Sequence, residues 1–205
     1  MSGAVLVGLT GGIGAGKSTV ARMLQQHGAR LIDGDAVARD VVDPATPGGQ
    51  ELLVKISALL GSTALRADGS LDRTAVGALV FGDEALRQAY NALIHPAIRD
   101  EVGRRIAQER RSPGVIVHEI PLLRRGSAPL PWTYDLVVTV EADAAVRQHR
   151  LQKERGLDAE DARRRILAQG DEADRTAIAD VVLRTDGSLG ETNRQVAELW
   201  SRLTA

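Results

Sequence analysis

The lysine and hydroxyl groups that end a glycine-rich stretch near the amino terminus are the residues best suited to chemistry. The stretch LTGGIGAGKST spans residues 9–19, and Gly11, Gly16, Lys17 and Ser18 satisfy the spacing G-x-x-x-x-G-K-[ST]. Glycines let backbone N–H groups turn inward, and a helix amino terminus adds partial positive charge, so such a loop binds a polyphosphate. Lys17 would bridge the β- and γ-phosphates, and the Ser18 hydroxyl would ligate Mg²⁺.

This phosphate loop is expected to hold ATP together with Mg²⁺. The residues predicted to bind the nucleotide are Gly12, Gly14, Ala15, Gly16, Lys17, Ser18 and Thr19. A dinucleotide-binding turn is excluded, because the third glycine of G-x-G-x-x-G would fall on Lys17. The guanine-binding N-K-x-D of GTPases is absent from the sequence. The alternative is a glycine turn that only joins a strand to a helix.

Two aspartates in the segment LIDGDAVARD are candidates for handling a substrate hydroxyl. If the segment stays extended, Asp33 and Asp35 lie on one face at the carboxyl end of a strand, where open parallel sheets bind ligands. One of them can orient the attacking hydroxyl and accept its proton. The alternative for Asp35 is a purely structural role as the cap of the helix that follows.

Charged residues farther along the chain are weaker candidates. Glu119 could contact Mg²⁺ through water, or it could be an ion-paired strand end. Arg147 and Arg150 share a helix face, and Arg150 could stabilise the transferred γ-phosphoryl from a closing lid. The arginines at 163–165 are either a second such group or a solvated surface. In LIHPAIR, His95 is expected to be a helix N-cap before Pro96, although it could face the acceptor.

The apolar patterning predicts the elements that position these residues. Continuous apolar runs at 4–9, 29–33, 115–120, 135–140 and 180–183 indicate five strands buried on both faces of a parallel sheet. The first two, with the loop and a helix at 17–27, form a βαβ unit, so the fold class is α/β. Residues between the second and third strands predict helices at 50–60, 73–81, 84–93 and 96–110, a helical insertion. Two helices at 143–172, split near 156–158, and a carboxyl-terminal helix complete the expected fold.

Composition narrows the class of protein. The chain has 205 residues, no cysteine, a formal net charge of −1 and 2% aromatic residues. We expect one domain without disulfides in the cytoplasm, with neither nucleic acid nor a membrane as partner, since no basic surface or bilayer-length apolar run is apparent. The oligomeric state is not predicted.

The motifs together resemble those of dephospho-coenzyme A kinases. The matching segments are LTGGIGAGKST at 9–19, IDGDAVARDVV at 32–42, DGSLDRTAVGALVF at 68–81, LIHPAIR at 93–99, IPLL at 120–123, and ILAQ with the following R and AD at 166–180. They occur in the expected order over nearly the whole chain. The resemblance implies transfer of the ATP γ-phosphoryl group to the ribose 3′-hydroxyl of dephospho-coenzyme A, the last step of coenzyme A synthesis.

The resemblance also implies roles and domains. The fold would be a three-layer P-loop NTPase type, with a nucleotide-binding core at 1–35, 111–142 and 173–205, an acceptor-binding helical insertion at 36–110 and a lid at 143–172. Asp35 would be the base and Arg150 the lid arginine, whereas Asp33, Arg73 and His95 would contact the acceptor. Other P-loop metabolite kinases and a non-catalytic nucleotide-binding regulator remain alternatives.

Two segments depart from the family pattern. Arg124 and Arg125 follow IPLL where the family often has an apolar residue and a glutamate, which affects the edge of the expected acceptor site. Arg184 and Thr185 replace a more usual Asp-Asn in the region expected near adenine. The nucleotide preference could therefore be broader than ATP.

Overall fold

The computed structural model describes residues 3–205. The chain forms two compact units, one containing the segment up to Asp33 together with Ile106–Ala205, and the other containing Gly34–Arg105.

The first unit is built on a parallel sheet of five strands. The strands are β1 (Ala4–Gly11), β2 (Arg30–Asp33), β3 (Gly114–Glu119), β4 (Leu136–Glu141) and β5 (Val181–Arg184). They pair in the order β2-β3-β1-β4-β5, and every pairing is parallel. The predicted α/β class and five-stranded parallel sheet are confirmed, because each apolar run forms a strand within two residues of its expected bounds. β1 is the central strand, so its carboxyl end lies in the middle of the sheet edge.

Helices account for most of the remaining chain. They are α1 (Lys17–Gln26), α2 (Gly34–Asp40), α3 (Pro47–Leu60), α4 (Arg73–Phe81), α5 (Glu84–Glu109), α6 (Ala144–Arg155), α7 (Ala159–Ala168), α8 (Glu172–Thr176) and α9 (Leu189–Thr204), with a 3-10 turn at Ser62–Ala64. The predicted break between the two helices after β4 is confirmed, since α6 ends at Gly156 in the left-handed conformation.

One face of the sheet is covered by α1 and α9, which share a core with it. Val20 and Leu24 of α1 and Val196 and Leu199 of α9 are buried in that core with the strand side chains. Each such apolar side chain contributes about 1.5–3 kcal/mol on burial. A capping box of Ser188 and Glu191 begins α9 and satisfies two backbone N–H groups at its amino terminus.

Polar side chains are buried among the residues of β4 and α8. The carboxylate of Glu141 accepts hydrogen bonds from Arg175 at 2.7 and 2.8 Å and from the Thr139 hydroxyl at 2.7 Å. Neither side chain of the Glu141–Arg175 pair is exposed to solvent. The pKa of Arg175 is raised, chiefly by its hydrogen bonds to Glu141. This pair is not apparent from the sequence, because its two partners are far apart in the chain.

The second unit is helical and has its own apolar core, which includes Leu53, Ile56, Val76 and Ile94. The predicted break before Pro96 is wrong, since α5 is continuous through Pro96 and His95 is an interior helical residue rather than an N-cap. A helix can retain a proline when packing of neighbouring side chains offsets the missing hydrogen bond. α3 also begins three residues earlier than predicted, because the Thr46 hydroxyl caps it.

Candidate active site

The loop between β1 and α1 has the backbone conformation that glycine permits. Gly14 and Gly16 have φ values of 75° and 87°, in the left-handed region that side chains disfavour. Gly16 is the N-cap of α1, so the loop leads directly into the helix amino terminus. The glycine spacing in the sequence is thus required by the path of the backbone.

Four backbone N–H groups of this loop are open to a ligand. Within residues 3–205, the amides of Gly14, Gly16, Lys17 and Ser18 have no hydrogen-bond partner. The amide of Ala15 instead donates to the Gly12 carbonyl at 3.0 Å. Successive unpaired N–H groups at a helix amino terminus form a concave, positively polarised site for an anion such as a phosphate.

The carbonyl groups of the same loop accept hydrogen bonds from later parts of the chain. The carbonyl of Ile13 accepts from Arg147 Nε at 2.9 Å, that of Gly14 from Arg150 Nη1 at 3.3 Å, and that of Ala15 from Thr185 Oγ1 at 2.6 Å. These bonds hold three consecutive carbonyls in defined directions and so define the orientation of the amides between them. The loop is therefore preorganised before any nucleotide binds.

Lys17 forms an ion pair with the acidic residue at the end of β3. Its ammonium nitrogen lies 2.9 Å from Glu119 Oε2, and only 17% and 10% of the two side chains are exposed. Asp33 is opposite Glu119 in the register of β2 and β3. The ion-paired interpretation of Glu119 is therefore correct for this structure, and two carboxyl-bearing strand ends stand beside each other near the phosphate loop.

Arg150 and Thr185 are joined by hydrogen bonds beside the loop. Arg150 Nη1 donates to Thr185 Oγ1 at 3.0 Å, and Nη2 donates to the Thr185 carbonyl at 2.5 Å. With the bond to the Gly14 carbonyl, the guanidinium is held in one plane against the loop. In the sequence, Thr185 stands out only as a departure from the family pattern. Its position directly after a strand of the same sheet was the available signal.

Arg147 supports the loop from a buried position. The residue is 4% exposed, and among the described residues its Nη2 has no hydrogen-bond partner. A Cβ at Gly12 would lie 2.6 Å from that nitrogen, so the guanidinium fills the space that a side chain would need. Burial lowers the pKa of Arg147, and the charge of Arg175 lowers it further. Arg147 is thus packed under the loop rather than spread over a solvated helix face.

The two aspartates after β2 are not on one extended face, so that prediction is wrong. Asp33 is the last residue of β2, and α2 begins at Gly34. Asp35 is therefore inside the first turn of α2, where a carboxylate stabilises the helix dipole, and it does not precede the helix as a cap would. The sequence DGD changes from strand to helix at its glycine.

The expected acceptor residues Arg73 and His95 both belong to the second unit. Arg73 begins α4 and donates from Nη2 to the Ala38 carbonyl at 3.1 Å. Partial burial and the charge of Arg99 lower the pKa of His95. The arginines at 163–165 are exposed on α7, and Arg163 and Arg164 pair with acidic residues one turn earlier.

The sequence matches one protein family over most of its length. The family model described as dephospho-CoA kinase matches residues 5–191. The chain belongs to this family. A dephospho-CoA kinase of Frankia casuarinae is 46% identical over 97% of this chain and 83% of its own length. One of Streptomyces avermitilis is 44% identical over 96% of this chain and 93% of its own. Members of the dephospho-CoA kinase family transfer phosphate from ATP to dephospho-CoA.

Solved structures share the fold. A crystal structure of a Thermus thermophilus protein has a TM-score of 0.81 and 29% identity, covering 98% of this chain and 99% of that one. The dephospho-CoA kinase from Campylobacter jejuni has a TM-score of 0.64 over 98% and 97% of the two chains. At 20% identity this second similarity concerns the fold alone.

Two features are absent from the described residues 3–205. No helix there is long and apolar enough to cross a membrane. No group of three or more histidine, cysteine, aspartate or glutamate side chains in that range could hold a metal ion.

Proposed function

We propose that this chain carries out the dephospho-CoA kinase reaction with Lys17, Ser18, Asp35 and Arg150 as its principal residues. The observation that carries the proposal is the set of four unpartnered amides at Gly14, Gly16, Lys17 and Ser18, because a polyphosphate can accept hydrogen bonds from several adjacent amides at once. ATP would bind these amides through its β- and γ-phosphates, and Lys17 would leave Glu119 to contact them.

The transfer has a simple balance of bonds. The oxygen of the ribose 3′-hydroxyl forms a bond to the γ-phosphorus, while the bond between that phosphorus and the β,γ-bridging oxygen breaks. The hydroxyl proton passes to the Asp35 carboxylate, and ADP leaves as CoA is formed. Lys17 and Arg150 supply fixed positive charge for the oxygens on which negative charge accumulates.

The residues of the site fit Mg²⁺ bound together with ATP. Mg²⁺ is usually held by one or two carboxylates, waters and substrate phosphates rather than by an all-protein cage. The Ser18 hydroxyl at the start of α1 and the strand-end carboxylates of Asp33 and Glu119 are oxygen donors of this kind. When bound, the ion would neutralise phosphate charge. Asp33, Arg73 and His95 would contact the acceptor, and a cytoplasmic location, supported by the lack of cysteine, is part of the proposal.

The test follows both products at once. The purified full chain is incubated with Mg²⁺, ATP and dephospho-CoA, and CoA and ADP are quantified by chromatography, with an acceptor-free reaction and a Lys17→Ala variant as controls. Formation of CoA in step with ADP, lost in Lys17→Ala, supports the proposal. ADP without CoA would indicate a different acceptor, and ATP binding without either product would indicate a regulatory role.

A further inference from the structure

A cavity of about 450 Å³ lies between the segment after β3 and the start of β4 in the first unit. On one side, its wall is formed by residues that follow β3, namely Leu123, Arg124 and Arg125. On the other side, it is formed by Trp132 and Tyr134, which precede β4, and by Val137 near the start of β4. β3 and β4 are parallel, so the segment that connects them runs from the carboxyl edge of the sheet back to its amino edge. The cavity lies along this segment and extends in the same direction. The proposed roles of Lys17, Asp35 and Arg150 leave this space unused.

Two arginines at one end of the cavity lack counter-charges. Arg124 and Arg125 are exposed, and within residues 3–205 neither guanidinium forms an ion pair or hydrogen bond. Other arginines of the same unit, among them Arg175 and Arg184, are paired with carboxylates. Two adjacent unpaired guanidinium groups at a cavity favour an anionic ligand, since each can donate two parallel hydrogen bonds to phosphate oxygens.

This charged end is tied to the phosphate loop. The amide of Leu123 donates to the hydroxyl of Thr10, the next-to-last residue of β1 before the loop, at 3.1 Å. On the other side, the guanidinium of Arg124 lies against Gly170, and the neighbouring Gln169 accepts a hydrogen bond from the Ile13 amide of the loop at 2.5 Å. A ligand held by the arginines would therefore lie next to the polyphosphate site.

The other end of the cavity is aromatic and fixed. The Trp132 indole donates to the Tyr134 hydroxyl at 2.8 Å, and that hydroxyl lies 2.7 Å from Nδ1 of the buried His118. The Tyr134 ring packs against Gly8, where a Cβ would come within 3.0 Å of it. These contacts hold two rings in place as a preformed apolar surface, the type of wall that binds the uncharged part of a small molecule.

We infer that this cavity holds the pyrophosphate and pantetheine arm of the acceptor, with Arg124 and Arg125 on the pyrophosphate and Trp132 on the arm. The inference rests on the proposed function, which supplies dephospho-CoA as acceptor. That molecule carries two negative phosphates close to its reacting ribose and a long, uncharged, partly apolar arm beyond them. The cavity has the same order of groups, with the two arginines next to the phosphate loop and the aromatic rings farther from it.

Kinetics of arginine variants test the charged end. Arg124→Ala/Arg125→Ala should raise the KM for dephospho-CoA about tenfold or more, leave the KM for ATP within about twofold, and change kcat little, because the lost hydrogen bonds act on acceptor binding. Arg202→Ala, which removes an exposed arginine of α9, is the matched control and should change neither KM. Equal KM values for dephospho-CoA in the double variant and the control would overturn the inference.

Fluorescence tests the aromatic end without turnover. The chain has two tryptophans, and Trp200 stacks on His27 away from the cavity, so a Trp200→Phe protein reports on Trp132 alone. With ADP on the phosphate loop, 4′-phosphopantetheine should change the Trp132 emission in a saturable way, and the change should be lost in Arg124→Ala/Arg125→Ala. No change at millimolar probe would overturn the inference. If the wild type forms no CoA, the proposed function fails; if it forms CoA but neither test responds, only the placement of the arm fails.

Discussion

Replacing Thr185 with valine should loosen the phosphate loop without changing its sequence. The hydroxyl, in a residue only 4% exposed, donates to the Ala15 carbonyl at 2.6 Å and accepts from Arg150 Nη1 at 3.0 Å. Valine keeps the shape and removes both bonds, whereas Arg150 keeps its bonds to the carbonyls of Gly14 and residue 185. A neutral bond contributes about 0.5–1.5 kcal/mol and one to a charged group about 1.5–3 kcal/mol, so the free energy of unfolding should fall by about 2–4 kcal/mol.

The measurement combines stability with ATP kinetics. At roughly 2–4 °C per kcal/mol for a chain of this size, Tm should fall by roughly 4–16 °C. The KM for ATP should rise about tenfold, because a loop that is no longer held must be ordered when the nucleotide binds. Thr185→Ser keeps the hydroxyl and should stay close to the wild type in thermal unfolding and in a coupled assay of ADP release. If the valine and serine variants behave alike, the hydroxyl does not hold the loop.

Four further variants test other parts of the site and the fold. Asp35→Asn should lower kcat by about 10²–10⁴-fold with the KM for ATP kept, in steady-state assays of CoA formation; unchanged turnover would remove Asp35 as the base. Arg150→Ala should lower kcat by about 10²–10³-fold in the same assay, and a loss confined to acceptor KM would contradict its role. Glu141→Gln should cost about 3–5 kcal/mol in urea unfolding by leaving Arg175 buried and unpaired, while a Glu141→Leu/Arg175→Met protein should recover much of that loss. Burial and the charge of Lys17 lower the pKa of His118 to about 4. The unfolded chain therefore takes up the proton first, and stability should fall as pH decreases from about 6.5 to 4, by about 3 kcal/mol in total. Urea titrations across this range should show a flatter pH dependence in His118→Gln, and equal slopes would refute the assignment.

The parts of the fold that depend on local patterns were predictable. Five apolar runs gave five strands, and the glycine spacing before Lys17 located the phosphate loop, because a buried parallel strand and a phosphate-binding turn each need particular residue types next to one another. The helix break at Gly156 was equally local.

The errors arose where tertiary contacts outweigh local preference. Pro96 indicated a helix start, yet packing of α5 keeps the helix continuous. Asp33 and Asp35 suggested one extended face, but the chain turns into α2 at Gly34. Thr185 and Arg147 were not predicted as supports of the loop, since their partners are more than 130 residues earlier and no spacing rule relates them. The catalytic roles of Asp35 and Arg150 remain predictions.

The long-range support of the phosphate loop has a consequence for synthesis of the chain. A ribosome adds residues in order from the amino-terminal side, so the motif at 9–19 emerges well before the donors to its carbonyls at positions 147, 150 and 185. β4, one of the two neighbours of central β1, is also made late. A nascent chain therefore carries the nucleotide-binding sequence long before it can bind a nucleotide, and ATP has its first stabilising effect only after residue 185 has been made.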